Sequence, residues 1–211
     1  MSATDEKPAG MRPLVLCLTG SLGMGKSTAA SFFAEAGVPV HDSDAVVHAL
    51  YEGEAVPLIE QAFPGTTAAG KVDRDKLGAR VLADPAALAR LEAIVHPLVF
   101  AAREKFLAAA RARGAPVVVL DVPLLFETGA DRHCDAVVVV TAPHEVQRRR
   151  TFERPGMTED KFAAILKKQM PDVEKRRRAD FIIDNSQDFD HARRQIRDIL
   201  ESVVKMPRKQ R

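Results

Sequence analysis

Residues 20–27 read Gly-Ser-Leu-Gly-Met-Gly-Lys-Ser, a full G-x-x-x-x-G-K-S phosphate-binding pattern. Its flanks constrain the fold more than any other feature of the chain. The apolar run Leu14-Val15-Leu16-Cys17-Leu18 reads as a buried strand before it, and Ser27 to Ala34 as a helix after it. A strand, a glycine turn and a helix start in that order belong to an α/β sheet with its ligand at the carboxyl edge of the strands. The residue types carry the chemistry. Glycines allow close backbone approach, and successive N–H groups at a helix N-terminus form a nest for anions. Lys26 is then expected to reach the β- and γ-phosphates of a nucleoside triphosphate, with the Ser27 hydroxyl on Mg²⁺.

Further apolar runs repeat the strand signature at Val38-Pro39-Val40, Val117 to Leu120, Ala136 to Val140 and Phe181 to Ile183. Their near-continuous Val, Ile and Leu content suits strands buried on both faces. Helical patterns between them predict parallel βαβ crossovers and a doubly wound parallel sheet of about five strands. The core is expected to comprise residues 13–43, 114–149 and 180–204. The long gap at 44–113 reads as a helical insertion, with helices near 44–50, 54–63, 74–82, 85–94 and 97–112. Turn signals stand at Pro64-Gly65 and Ala69-Gly70. A second, basic insertion at 150–179 has the character of a lid. Residues 1–12 read as a loose tail, and 205–211 as a basic end that frays.

Composition excludes little but directs the search. Thirty-one Lys and Arg against 29 Asp and Glu leave a net charge of +2. That offers no global case for nucleic-acid or membrane binding. Cys17 and Cys134 lie in apolar, strand-like contexts and are expected to be reduced core residues, without metal-ligand spacing. No apolar stretch is judged to approach the ~20 residues that span a bilayer, and no signal-peptide pattern opens the chain. The expected compartment is the cytoplasm.

Two acidic clusters fall at strand tips. Asp42 and Asp44, in Val40-His41-Asp42-Ser43-Asp44, suit an acid that accepts an acceptor hydroxyl's proton and another that organises Mg²⁺ or the acceptor. For Asp44, simple N-capping of the next helix is the competing explanation. Asp121 closes the run Val117 to Leu120 in the manner of a Walker B acid near Mg²⁺. The apolar stretch that follows, with Leu124 and Leu125, reads as an acceptor surface or as a packed hydrophobic corner. In the basic insertion, Arg150 and Arg154 are the candidates for stabilising transferred charge. Lys167, Lys168 and Arg176 to Arg178 fit a solvated helix face equally well.

In this order and spacing the elements closely resemble the dephospho-CoA kinase family, from about Leu14 to Leu200. The family's L-T-G-x-x-G-x-G-K-S-T is matched by Leu18 to Thr28, and its acidic pair by Asp42-Ser43-Asp44, with Ser in place of the usual Ala. Its D-R-x-x-L falls at Asp73 to Leu77, D-P at Asp84-Pro85, and L-E-x-I-x-H-P at Leu91 to Pro97. Then come D-x-P-L-L-F-E at Asp121 to Glu127, the pair Arg150 and Arg154, and A-D-x-x-I-D-N at Ala179 to Asn185. Lys175 stands where Arg is common, which removes a planar bidentate contact.

The resemblance implies ATP-dependent phosphorylation of the ribose 3′-hydroxyl of dephospho-CoA, the last step of coenzyme A biosynthesis. It implies an ATP site at Gly23, Met24, Gly25, Lys26, Ser27 and Thr28, with Asn185 near the adenine. Asp42 is the implied base or acceptor-orienting acid, and His96 joins Asp44, Leu124 and Leu125 on the acceptor side. The expected partner is this one small molecule, the expected state a monomer. Another small-molecule or nucleoside monophosphate kinase would share the sheet, loop and lid but carry a different acceptor signature. A GTP switch would carry an N-K-x-D motif, which this chain lacks.

Overall fold

The computed structural model describes residues 11–209. In chain order the elements are β1 (Leu14–Thr19), α1 (Lys26–Glu35), β2 (Val40–Asp42), α2 (Ser43–Leu50), α3 (Val56–Ala62), β3 (Thr67–Ala68) and β4 (Lys71–Val72). They continue with α4 (Arg74–Val81), α5 (Pro85–Ala112), β5 (Val117–Asp121), a short 3₁₀ turn (Ala130–His133) and β6 (Ala136–Thr141). The last are α6 (His144–Phe152), α7 (Glu159–Lys168), α8 (Asp172–Arg178), β7 (Phe181–Asp184) and α9 (Phe189–Val203).

Two compact units result, residues 42–108 and the remainder. The larger unit is built on a five-stranded sheet in the order β2-β5-β1-β6-β7, with β1 parallel to both β5 and β6, and β6 parallel to β7. All residues of β1, β5 and β6 are buried, which is why these segments read as unbroken apolar runs. On one face Leu14, Leu16, Leu18, Val138 and Val140 meet Phe32 and Phe33 of α1, together with α9. α9 presents Ala192, Ile196, Ile199 and Val203, spaced to form a single helical stripe. Its N-terminus is capped by Asp188, which accepts the His191 N–H at 2.7 Å.

The second unit has its own core, in which Leu50, Ile59, Phe63 and Leu77 pack with Ala87, Leu91 and Val95 of α5. Three sequence expectations change here. The segments 85–94 and 97–112 form one helix through Pro97. Proline removes one backbone donor but does not break a helix whose apolar face is packed on both sides of it. The Ala69-Gly70 turn closes a small antiparallel hairpin, β3–β4, within an insertion expected to be mostly helical. Ala69 (φ 50°) and Gly70 (φ 76°) supply the two positive φ values that such a two-residue turn requires. Finally, α5 is by length and composition long and apolar enough to cross a membrane, contrary to the expectation that no apolar stretch approaches that length.

Two corrections concern the larger unit. Cys17 and Cys134 form a disulfide, although they were expected to be reduced. Their 117-residue separation hides a proximity created by pairing β1 with β6, where Cys17 faces Val137. Of the two expected tails, residues 1–10 and 210–211 lie outside the described residues, whereas Arg12, Arg208 and Lys209 are tied to the larger unit. Arg12 grips buried Asp135 with both guanidinium nitrogens, at 2.7 and 2.8 Å. Asp135 also accepts the N–H groups of Val15 (2.8 Å) and Lys209 (3.0 Å), and Arg208 donates to the Arg12 carbonyl. One carboxylate thus ties both ends of the described chain to the start of β1.

Burial alone would raise the Asp135 carboxyl, but Arg12 and the two backbone donors outweigh it and hold the group below its ordinary range. A carboxylate depressed by folding adds stability above its unfolded value, about 3.9, and that stability is lost as pH falls through the folded value. Asp135→Asn should therefore lower the unfolding midpoint at pH 7 by roughly 2–8 °C. The difference from the parent should shrink below about pH 4. Midpoints measured across pH 3 to 8 check this, and a gap independent of pH would refute it.

Candidate active site

The phosphate loop turns between β1 and α1 with Gly25 at the helix N-cap in the left-handed region, φ 89°. Gly23 has φ 77°. Neither position has room for a side chain. A Cβ on Gly23 would collide with Thr151 Oγ1 and stand 2.7 Å from the Gln147 carbonyl, and one on Gly25 would collide with Asn185 Nδ2. The glycines are needed here for backbone conformation and for the wall that α6 and the β7–α9 turn press against the loop.

Lys26 forms an ion pair with Asp121 at the end of β5. Both side chains are largely buried, at 17% and 4% exposure. The pair places the ammonium and the strand-end carboxylate side by side, because β5 lies directly next to β1. Ser27 and Thr28 occupy the first turn of α1, with Ser27 exposed. One hydroxyl and one carboxylate suit a hard cation that takes its remaining oxygens from water and phosphate, the habit of Mg²⁺. No cluster of three or more His, Cys, Asp or Glu able to hold a metal occurs among the described residues.

Arg150 lies near the end of α6, and its Nη2 donates to the Asn185 carbonyl at 2.9 Å. Its Nη1 is buried without a hydrogen-bond partner and stands close to Gly25. A buried guanidinium nitrogen with spare donors beside a phosphate nest fits an anionic ligand. Arg154 lies beyond that helix, since α6 ends at Phe152, and is exposed in the following turn. Asn185, expected near an adenine, packs on the loop, its Nδ2 donating to the Met24 carbonyl at 3.2 Å. Beside the loop opens a cavity of about 450 Å³, lined by Ser21, Met24, His144, Gln147, Gln169 and Asp172 among others.

The segment after Asp121 divides its two leucines. Leu124 is 40% exposed, whereas Leu125 is fully buried and offers no surface to an acceptor. Glu127 ends this segment and accepts the Met170 N–H at 2.7 Å. Lys175 is fully buried, its Nζ 3.0 Å from Glu127 Oε1 in an ion pair not aligned for a hydrogen bond. Burial alone would raise the Glu127 carboxyl, but the Met170 N–H and the Lys175 ammonium outweigh it and hold it below its ordinary range. Lys175 is thus a buried counter-charge, which needs no planar fork. Lys167, Lys168 and Arg176 to Arg178 are exposed, and the three arginines pair with Asp172 and Glu174 on their own helix.

Asp42, Asp44 and His96 belong to the second unit. β2 begins two residues later than the apolar run indicated, so Asp42 ends the strand and also caps α2. Its Oδ1 accepts the N–H groups of Asp44 (2.9 Å) and Ala45 (3.0 Å). Asp42, not Asp44, is therefore the cap. Asp73 and Asp84 do the same for α4 and α5, accepting from Lys76 and from Ala86 and Ala87. His96 is exposed on α5. Sequence reading missed Gln147, Thr151 and Gln169, all of which touch or wall the phosphate loop. None sits in a pattern that points to a phosphate.

A family model of dephospho-CoA kinase matches residues 14–191. A dephospho-CoA kinase of Rhodopseudomonas palustris is 62% identical over 93% of this chain and 98% of its own length. One from Mesorhizobium japonicum is 63% identical over 90% and 96%. Among solved structures, the Thermus thermophilus protein TT1252 superposes with a TM-score of 0.81 at 33% identity, covering 91% of this chain and 98% of its own. Dephospho-CoA kinase from Campylobacter jejuni shares the fold, with a TM-score of 0.62 at 24% identity over 91% and 98%.

Lys26→Ala should lower turnover by roughly 10²–10³-fold or more, as expected for removing a preorganised cation from developing charge. The pairing with Asp121 adds a stability effect that the loop sequence alone did not indicate. The variant should melt lower than the parent, and Asp121→Asn added to it should recover part of that loss by removing a poorly compensated buried charge. Near-normal turnover in a folded Lys26→Ala protein would overturn the role of this loop. The family model over residues 14–191, together with relatives 62% and 63% identical over nine-tenths of the chain, shows that this chain belongs to the dephospho-CoA kinase family.

Proposed function

We propose that this protein transfers the γ-phosphoryl group of ATP to the ribose 3′-hydroxyl of dephospho-CoA, giving CoA and ADP. The observation that carries the reading is the buried, unpartnered Arg150 Nη1 beside Gly25, in a phosphate loop whose Lys26 is already held at the end of β5. A new bond forms between the acceptor oxygen and the γ-phosphorus as the bond to the β–γ bridging oxygen breaks. The hydroxyl proton passes to Asp42. Lys26 and Arg150 meet the charge that develops on the transferred group, and Arg154 joins them from the turn beyond α6.

Gly23, Met24, Gly25, Lys26, Ser27 and Thr28 bind the triphosphate, while Asn185 supports the loop from outside. Ser27 and Asp121 would hold Mg²⁺, which neutralises charge on the β- and γ-phosphate oxygens when bound. The second unit, with Asp44 and His96, receives the acceptor, and Leu124 offers it an apolar contact from the loop after β5. Asp42 Oδ1 serves the α2 cap, so Oδ2 is the oxygen assigned to the acceptor hydroxyl. We place the enzyme in the cytoplasm as a monomer acting on a small molecule. A disulfide such as Cys17–Cys134 is unusual for that compartment.

A coupled assay of ADP release over dephospho-CoA, adenosine and nucleoside monophosphates should respond to dephospho-CoA alone. Release with a monophosphate and none with dephospho-CoA would refute the assignment. Asp42→Asn preserves a good N-cap, so folding should be kept while turnover falls on the order of 10²–10⁴-fold. ATP affinity should change little. Loss of ATP–Mg²⁺ affinity with turnover retained at saturation would make Asp42 a metal organiser and move the base to Asp44 or Asp121.

A further inference from the structure

Three side-chain amides grip the backbone of the phosphate loop from outside. Gln147, buried in α6, donates through Nε2 to the Leu22 carbonyl at 2.8 Å. Asn185, after β7, donates through Nδ2 to the Met24 carbonyl at 3.2 Å. Gln169, which follows α7, accepts the Leu22 N–H on Oε1 at 3.1 Å. These contacts lie outside the Gly-x-x-x-x-Gly-Lys-Ser stretch in sequence and come from three different elements.

In a trans peptide the carbonyl and the N–H of one plane point in opposite directions. The Leu22 carbonyl shares its plane with the Gly23 N–H, and the Met24 carbonyl shares its plane with the Gly25 N–H. Holding those two carbonyls outward therefore turns the Gly23 and Gly25 N–H groups toward the inside of the loop. The neighbouring plane obeys the same rule with the opposite sense. There Gln169 holds the Leu22 N–H outward, and the Ser21 carbonyl turns inward to accept the Met24 N–H at 3.1 Å. Glycine makes these orientations accessible, since both residues have positive φ, but it does not select them. Selection needs partners, and the side-chain amides supply them.

We propose that Gln147 and Asn185 are positioning residues, which preorganise the Gly23 and Gly25 amides for the phosphates by fixing the carbonyls of the same peptide planes. The proposal rests on the phosphate-loop reading given above and adds to it the residues that set the loop's donors. Both side chains act through the backbone. A water-facing loop would have to reorient these peptides on binding, whereas a clamped one holds its dipoles in place beforehand.

The test follows the ¹⁵N–¹H resonances of Gly23 and Gly25 in the full-length protein during titration with ADP. In the parent, both resonances should move strongly. In Gln147→Met, which keeps length and helix propensity but loses the donor, the Gly23 response should shrink while that of Gly25 is largely kept. Asn185→Leu should show the reverse. Each variant should bind ADP roughly 10–100-fold more weakly, the cost of misaiming a donor to a charged group. If Asn185→Leu does not fold, Asn185→Ala, which removes the amide without adding apolar bulk, carries the same comparison. Parent-like responses at both glycines in folded variants would overturn the proposal. Equal loss at both glycines from either variant would also overturn it, because the loop would then be loosened as a whole. No response in the parent would instead refute the phosphate-loop reading itself.

Discussion

The pairing of β1 between β5 and β6 is the constraint from which the rest of the larger unit follows. A strand hydrogen-bonded on both sides and buried on both faces has no freedom in register, because a one-residue slip would turn every side chain to the opposite face. With Leu18 level with Asp121 and Val138, the chain leaves the sheet at Thr19 beside the ends of two other strands. Lys26 can then pair with Asp121, and the carboxylate is oriented before any ligand arrives. The same register brings Cys17 to Cys134 and seats Asp135 against the Val15 N–H.

Buried charges in this protein act as fasteners, each matched to a defined set of donors. Asp135 gathers Arg12 and Lys209, and Glu127 gathers Met170 and Lys175 from the return of the basic insertion. Removing either partner of such a pair would strand a charge in a poorly solvated place, so the pairing specifies geometry more than it adds net stability. It also fixes one end of the basic insertion. Residues 169–175 are held to the core through Gln169, Met170 and Lys175, whereas Arg154 and most of α7 face solvent.

Several acidic residues that stand out in sequence have an architectural task. Asp42, Asp73, Asp84 and Asp188 each accept backbone N–H groups at a helix start. A capping carboxylate keeps a second oxygen, so capping and chemistry are compatible at Asp42. Architecture alone explains Asp73 and Asp84, since each sits at the first turn of a helix whose orphan donors need an acceptor.

Much of this protein was determined locally and was therefore legible in its sequence. Buried parallel strands need continuous apolar runs, glycines and Lys26-Ser27 mark an anion nest, and Asp121 ends a strand. The sheet, the phosphate loop and the family followed from those short-range patterns. What the tertiary structure decided depends on residues far apart in the chain that the sheet brings together. Cys17 meeting Cys134, Arg12 and Lys209 meeting Asp135, and Lys175 meeting Glu127 are contacts of that kind. Asn185 illustrates the boundary: its motif marks it as important, but only the fold places its amide on the Met24 carbonyl. Gln147 and Gln169 carry no motif at all, because an amide side chain has no periodicity or charge pattern to reveal which distant peptide it will hold.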